Sequence, residues 1–240
     1  MIGDTNVRAM PVAAGTQIST LEVGTLVKMN LDGAPWEWRI VHQGLPGDMY
    51  DASCDGCWLL LENIYTLLFW DSYNPNRHNN DYQNSDVFGL LQSDFFSMLD
   101  LGIQGQVKQV KIPYVNGTGP EGSVSSGANG LSCKLFLLSG YEVGLTTSED
   151  ANLPIDGVKL SYFDSGYSST ATNKRIATWD GSATEWWLRS PDMGWPYAVF
   201  CVSPEGYTET MTCTDQLGIR PALILPSTAL VDDELNVLAA

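Results

Sequence analysis

The sequence predicts an α+β domain, one or two helices among many short strands, and three observations carry that reading. Val87, Leu90, Leu91, Phe95, Met98 and Leu99 recur at helical spacing behind Ser85, a residue suited to cap a helix. Elsewhere, short runs of branched and aromatic residues bounded by Gly, Pro, Asn or Asp mark strands. The stretches 74–84, 116–129 and 149–180 are rich in turn-forming residues, and long loops held by a scaffold commonly carry function.

In chain order, residues 1–20 are Ala, Gly, Thr and Ser-rich without periodicity and read as an arm or linker. A domain spanning 21–230 follows, and 231–240 form a C-terminal tail. The domain opens with strand runs at 25–29 and 36–41, with Leu31-Asp32-Gly33 as the turn signal between them. Trp58-Leu59-Leu60-Leu61 is apolar throughout, as a central strand would be. The helix runs from the Ser85 cap to Asp100, and a second short helix at 103–108 leads to a strand ending near Tyr114. Leu135-Phe136-Leu137-Leu138 returns as a buried strand. Strands then resume at 185–189, 197–203, 207–213 and 219–225, with Pro204-Glu205-Gly206 turning between the middle pair.

Acidic residues outnumber basic ones 28 to 12, giving a net charge of −16. Such a field repels nucleic acid and anionic membranes, so neither is an expected partner. No window approaches the roughly 20 apolar residues of a membrane span. Met1-Ile2-Gly3-Asp4-Thr5 offers neither the basic nor the apolar region of a secretory leader. The expectation is synthesis in a bacterial cytoplasm, with any outside location reached by assembly into a larger particle.

Cys54, Cys57, Cys133, Cys201 and Cys213 form an odd, scattered set, a poor disulfide framework. Cys54-Asp55-Gly56-Cys57 has the spacing of half a zinc site, but no second pair follows, and the histidines are only His42 and His78. Small buried thiols are the expected reading, with no metal and no cofactor.

The last third has a construction of its own. Trp186-Trp187-Leu188-Arg189-Ser190-Pro191 and Gly218-Ile219-Arg220-Pro221-Ala222-Leu223-Ile224-Leu225 read as buried strands. At least one of the adjacent Trp186 and Trp187 should be core. Arg189 and Arg220 should each satisfy a buried carboxylate or carbonyl groups, with Glu142, Asp164 and Asp180 as candidate partners. The intervening 192–217 mixes large aromatics and Met with short polar side chains, a composition that suits a contact surface.

Several phrases resemble a family of gut-Firmicutes and phage proteins carrying a domain of unknown function. They include Val41-His42-Gln43-Gly44-Leu45-Pro46, Gln109-Val110-Lys111-Ile112-Pro113-Tyr114, Ser126-Gly127-Ala128-Asn129-Gly130-Leu131-Ser132-Cys133-Lys134 and Leu137-Leu138-Ser139-Gly140-Tyr141-Glu142-Val143-Gly144. Lys159-Leu160-Ser161-Tyr162-Phe163-Asp164-Ser165-Gly166 belongs to the same set, and the likeness spans about residues 20–235. The close, Trp-Leu-Arg-Ser-Pro followed by a polar-aromatic stretch and Gly-Ile-Arg-Pro-Ala-Leu, is similar to the variable proteins of diversity-generating retroelements. That resemblance implies a C-type-lectin-like fold displaying rewritten side chains on a fixed backbone, in several cases at a phage tail tip.

The ligand-binding face it implies lies within 192–217. Its expected residues are Asp192, Met193, Gly194, Trp195, Tyr197, Phe200, Cys201, Tyr207, Glu209, Met211, Thr214, Asp215 and Gln216. Trp195, Tyr197, Phe200, Tyr207 and Met211 would supply contact area, and the polar residues a rim. Strict alternation along 197–203 sets Val199, Cys201 and Ser203 on one face, so Tyr197, Phe200 and Met211 need not all be exposed together. The expected partner is a protein or glycan receptor on a bacterial surface, with the protein on a phage tail or cell surface; a homo-oligomer is compatible with that site. Two alternatives stand beside this non-enzymatic reading. One is a structural virion or surface protein without a ligand. The other is an oxidase on a formylglycine-generating-type scaffold, for which Cys201 and Cys213 are the only candidates.

Overall fold

In the computed structural model, which describes residues 15–72 and 80–239, ten strands form two five-stranded sheets. In chain order they are β1 (Leu26–Leu31), β2 (Ala34–Gln43), β3 (Cys57–Leu61), β4 (Thr66–Phe69), β5 (Leu135–Phe136), β6 (Trp186–Pro191), β7 (Ala198–Val202), β8 (Thr208–Thr212), β9 (Gln216–Ile219) and β10 (Ala222–Leu225). The first sheet runs β5-β10-β3-β2-β1 and the second β8-β7-β6-β9-β4. Neighbours are antiparallel except β6 and β9, which run parallel. The fold is mixed α+β, mostly strand.

Local chemistry explains the elements. β1 and β2 are joined by Asp32 and Gly33, both at positive φ (51° and 74°), the two-residue turn that matches the twist of a hairpin. β3 is buried at all five positions because it lies mid-sheet, between β10 and β2. The Ser85 side chain accepts the Phe88 N–H at 3.1 Å and opens a helical stretch. Asp86–Leu90 is α-helical, Leu91–Phe95 widens into a π turn, and Phe96–Met98 completes it. The second helix is shorter than expected, Leu101–Gln104. The apolar run expected as one strand at 219–225 is two. It breaks at Arg220-Pro221, since proline has no N–H for a ladder, and passes from the second sheet to the first.

A short helix, Ser169–Arg175, stands in the stretch expected to be turn-rich. Ser168 caps it by accepting the Ala171 N–H at 3.2 Å. Its buried positions are Ala171, Thr172 and Arg175, and the Arg175 guanidinium donates to the carbonyls of Gly206, Val143 and Gly166.

Trp186 and Trp187 are both fully buried in one continuous core, and their indole N–H groups donate to the carbonyls of Arg175 and Leu68. Arg189 is buried too and grips Glu142 with two nitrogens, at 2.5 and 2.7 Å. It also donates to the carbonyls of Pro113, Leu137 and Asp156. Glu142 further accepts from Tyr50 at 2.7 Å and from the Ser139 N–H at 2.9 Å. Asp156 meets the Ser190 hydroxyl at 2.8 Å, and burial pushes its carboxyl up to about 6. Arg220 donates to the Leu61 carbonyl, with Glu62 3.7 Å away. Of the other two candidate partners, Asp164 instead pairs with Lys174 at 3.0 Å, and Asp180 sits exposed in a turn.

The chain's two ends meet. Thr16 and Gln17 pair with Val231 and Leu230, and Ile18 is fully buried. Val237 and Leu235 bond to Lys28 along the edge of β1. Residues 15–20 and 231–239 therefore pack on the domain; the rest of the expected arm, residues 1–14, lies outside the described residues. Among the described residues, no helix is long and apolar enough to cross a membrane.

Candidate ligand-binding face

Residues 192–217 form a turn, the β7–β8 hairpin with β8 at one edge of the second sheet, a second turn, and the start of β9, which lies inside the sheet between β6 and β4. The first turn is tied down by its backbone. Met193 N–H donates to the Asn152 carbonyl, Ala198 N–H to Trp195, and Cys213 N–H to Tyr197. Asp192 is buried, and its Oδ1 accepts the Gly194 N–H at 2.7 Å; burial raises its carboxyl above the ordinary carboxylate range. Asn80 anchors the whole turn. Its Nδ2 reaches the carbonyls of Asp192, Trp195 and Ala198 at 3.2, 3.0 and 2.7 Å, and its Oδ1 accepts the Gly119 N–H at 2.9 Å. Gly119 has φ +38°, and a Cβ there would come within 2.9 Å of the Pro196 Cα, so only glycine lets these two segments close.

From this fixed turn two aromatics project: Trp195 is 55% exposed and Tyr197 46%. Met193 is half-buried beside them and Gly194 is exposed. Phe69, on β4 opposite Gln216, is exposed at the sheet's other edge. Tyr207, 44% exposed, belongs to a different patch. It stands at the far end of β8, six residues from Cys213, which is about 20 Å at 3.3 Å per residue. There its ring meets that of Tyr167, with centroids 5.1 Å apart. Between the patches, Glu209 is exposed and Met211 packs partly into the core. Thr214, Asp215 and exposed Gln216 make the second turn, where Asp215 accepts both the Thr212 N–H and hydroxyl.

Phe200 and Cys201, expected on the face, are fully buried. β7 has a strand on either side and is buried at all five positions, so neither face of it meets solvent. Asp192 serves as a turn fastener and is likewise withdrawn from the surface. The structure thus brings Met193, Gly194, Trp195 and Tyr197 together at one end and sets Tyr207 apart at the other.

All five cysteines are buried. Burial pushes the Cys213 thiol up to about 12 and the Cys54 thiol up to about 11, and raises Cys201 strongly, so none is a thiolate near neutrality. Among the described residues, no group of three or more His, Cys, Asp or Glu is placed to hold a metal. One pairing was not legible in sequence: His42 Nδ1 lies 2.7 Å from the Ser161 hydroxyl and accepts the Ser161 N–H at 3.3 Å. It fastens the 160–163 turn, and among the described residues no carboxylate hydrogen-bonds its ring, as the orienting member of a nucleophilic triad would. Asn80, Phe69 and Tyr167 were also missed. Asn80 falls in a stretch that reads as loop, and the two aromatics join the surface through long-range pairing.

Fold and face define an α+β domain that presents side chains from a braced edge. Over residues 55–227 the chain matches the family described as Domain of unknown function (DUF6273), and it belongs to that family. No curated protein and no solved structure matches it.

Proposed function

We propose that this protein is a ligand-binding display module, on a phage tail tip or cell surface, that recognises a protein or glycan receptor on bacteria. Its contact face is the 192–197 turn with the outward residues of the β7–β8 hairpin and the turn after it. The exposed residues are those a diversity-generating retroelement rewrites, on a fold of the C-type-lectin-like class.

One observation carries the reading: Trp195 and Tyr197 stand half-exposed on a backbone fastened by Asn80. Large rigid aromatics held in place before binding give contact area at little ordering cost, and a monomer gains nothing in stability by exposing them. The buried thiols of Cys201 and Cys213 favour binding over oxidase chemistry.

The test is to sequence this gene's 3′ end and flanking DNA across a source population. Substitutions should concentrate at codons 193–195, 197, 207, 209 and 214–216 and spare 200 and 201, beside a template repeat differing at adenines. Uniform drift with no template would refute diversification.

A further inference from the structure

We infer that the protein carries a second binding site, independent of the 192–217 face: a groove for neutral oligosaccharide between β2, the 62–65 connection and the Trp179 hairpin. Trp36 and Trp179 line one concavity of about 420 Å³ with Asn63 and the Asp180-Gly181 turn. Trp36 and Asn63 also line an adjoining one of about 570 Å³, bounded by Lys28, Glu37 and Glu234. Each lies within the roughly 300–1,000 Å³ of small-molecule sites, and two joined through a shared tryptophan suit a ligand of linked units.

The walls are built firmly. Both indoles are half-buried, with one side packed on the core and the rest open to the groove. Trp36 leans on Tyr65, with centroids 5.6 Å apart. Trp179 is held by the Thr178–Trp179 and Ser182–Ala183 pair, closed by Asp180 and Gly181 at positive φ. The Ile64 N–H donates to the Thr178 carbonyl at 3.0 Å, locking the hairpin to the connection. The Thr178 hydroxyl donates to Asn63 Oδ1 at 2.8 Å, which orients the amide and leaves its N–H donors for a ligand. At the other end the C-terminal segment is strapped to Lys28 through Leu235 and Val237, which sets Glu234 and Asn236 along the rim.

The chemistry selects a class. A pyranose ring has a C–H face that packs on an indole and hydroxyls around its edge that pair with amides and carboxylates. Asp180, Glu37 and Glu234 face one lysine, Lys28, in a chain of net charge −16. That field disfavours sialylated, uronate-bearing or phosphorylated sugars and leaves the uncharged ones.

The test is calorimetric titration of the full chain with cellotriose, chitotriose, maltotriose, mannotriose and 3′-sialyllactose. At least one neutral trisaccharide should bind and sialyllactose should not. Trp179→Ala and Asn63→Ala should each weaken that binding at least tenfold while still unfolding in one cooperative transition, with the modest loss in melting temperature expected of a half-buried ring and one hydrogen bond. Trp36→Phe, which keeps an aromatic wall, should weaken it less than Trp36→Ala. Binding of sialyllactose alone, of none of the five, or neutral binding indifferent to Trp179→Ala and Asn63→Ala would each overturn the proposal.

Discussion

Asn80 ties the 192–197 turn to the rest of the domain through both ends of its amide. Its side chain is fully buried, and its two amide hydrogens serve the carbonyls of Asp192, Trp195 and Ala198 while its oxygen accepts from Gly119. Counting two donated bonds and one accepted, at about 1 kcal/mol each, Asn80→Ala should remove about 3 kcal/mol. Carbonyls left without a donor add to that, so a loss of about 3–5 kcal/mol is expected. Asn80→Asp keeps the shape but turns an oxygen toward three carbonyl oxygens and buries a charge, so it should cost at least as much as the alanine. Urea denaturation at pH 7 with an unchanged m-value reads both losses. Hydrogen exchange should quicken at the Gly119 and Cys213 amides, which close the turn from either side. A loss under 1 kcal/mol for Asn80→Ala, or wild-type stability for Asn80→Asp, would refute the claim that this amide holds the turn.

Two further outcomes follow from the buried charges. Asp156 is raised from 3.8 to about 6 in the fold, so between those values the native state holds a proton that the unfolded chain has lost. Its contribution is therefore present in full below about pH 4 and lost as pH rises through about 6. Asp156→Asn should flatten that slope and raise stability at pH 7 by at most about 3 kcal/mol, read from urea midpoints at pH 4, 5 and 7. Arg189→Lys should cost about 3–5 kcal/mol by melting, because a lysine can neither grip both Glu142 oxygens nor reach the Pro113, Leu137 and Asp156 carbonyls together. A melting temperature close to wild type would contradict it.

What could be read in the sequence was local chemistry. Asp32-Gly33 announces its hairpin because two residues with positive φ are what that turn needs. The 86–98 helical stretch announces itself by apolar spacing behind a capping serine. Ser169–Arg175 does not, because its buried side is Ala171, Thr172 and Arg175, and an arginine bonded to three carbonyls leaves no apolar period. The division of 219–225 was signalled by Pro221, but where the chain goes next depends on sheet order, which no local pattern encodes. On the face, Trp195 and Tyr197 were legible as aromatics in a Gly- and Pro-containing turn. The unbroken apolar run of Ala198–Val202 already pointed to a strand buried on both sides, against placing Phe200 and Cys201 at the surface. The roughly 20 Å between Tyr197 and Tyr207 follows from the hairpin register, which the sequence left open.

The central claim, that the braced aromatic turn is where the protein meets its receptor, is tested most directly by binding to whole cells. Fluorescently labelled wild type and Trp195→Ser/Tyr197→Ser would be compared by flow cytometry on a panel of gut bacteria, with melting temperatures measured alongside. These exposed side chains contribute little to folding, so the variant should stay within about 1 kcal/mol of wild type. Its cell binding should fall at least tenfold. Wild-type cell binding by a normally folded variant would contradict the account, and so would a stability loss near the about 3–5 kcal/mol of a buried aromatic.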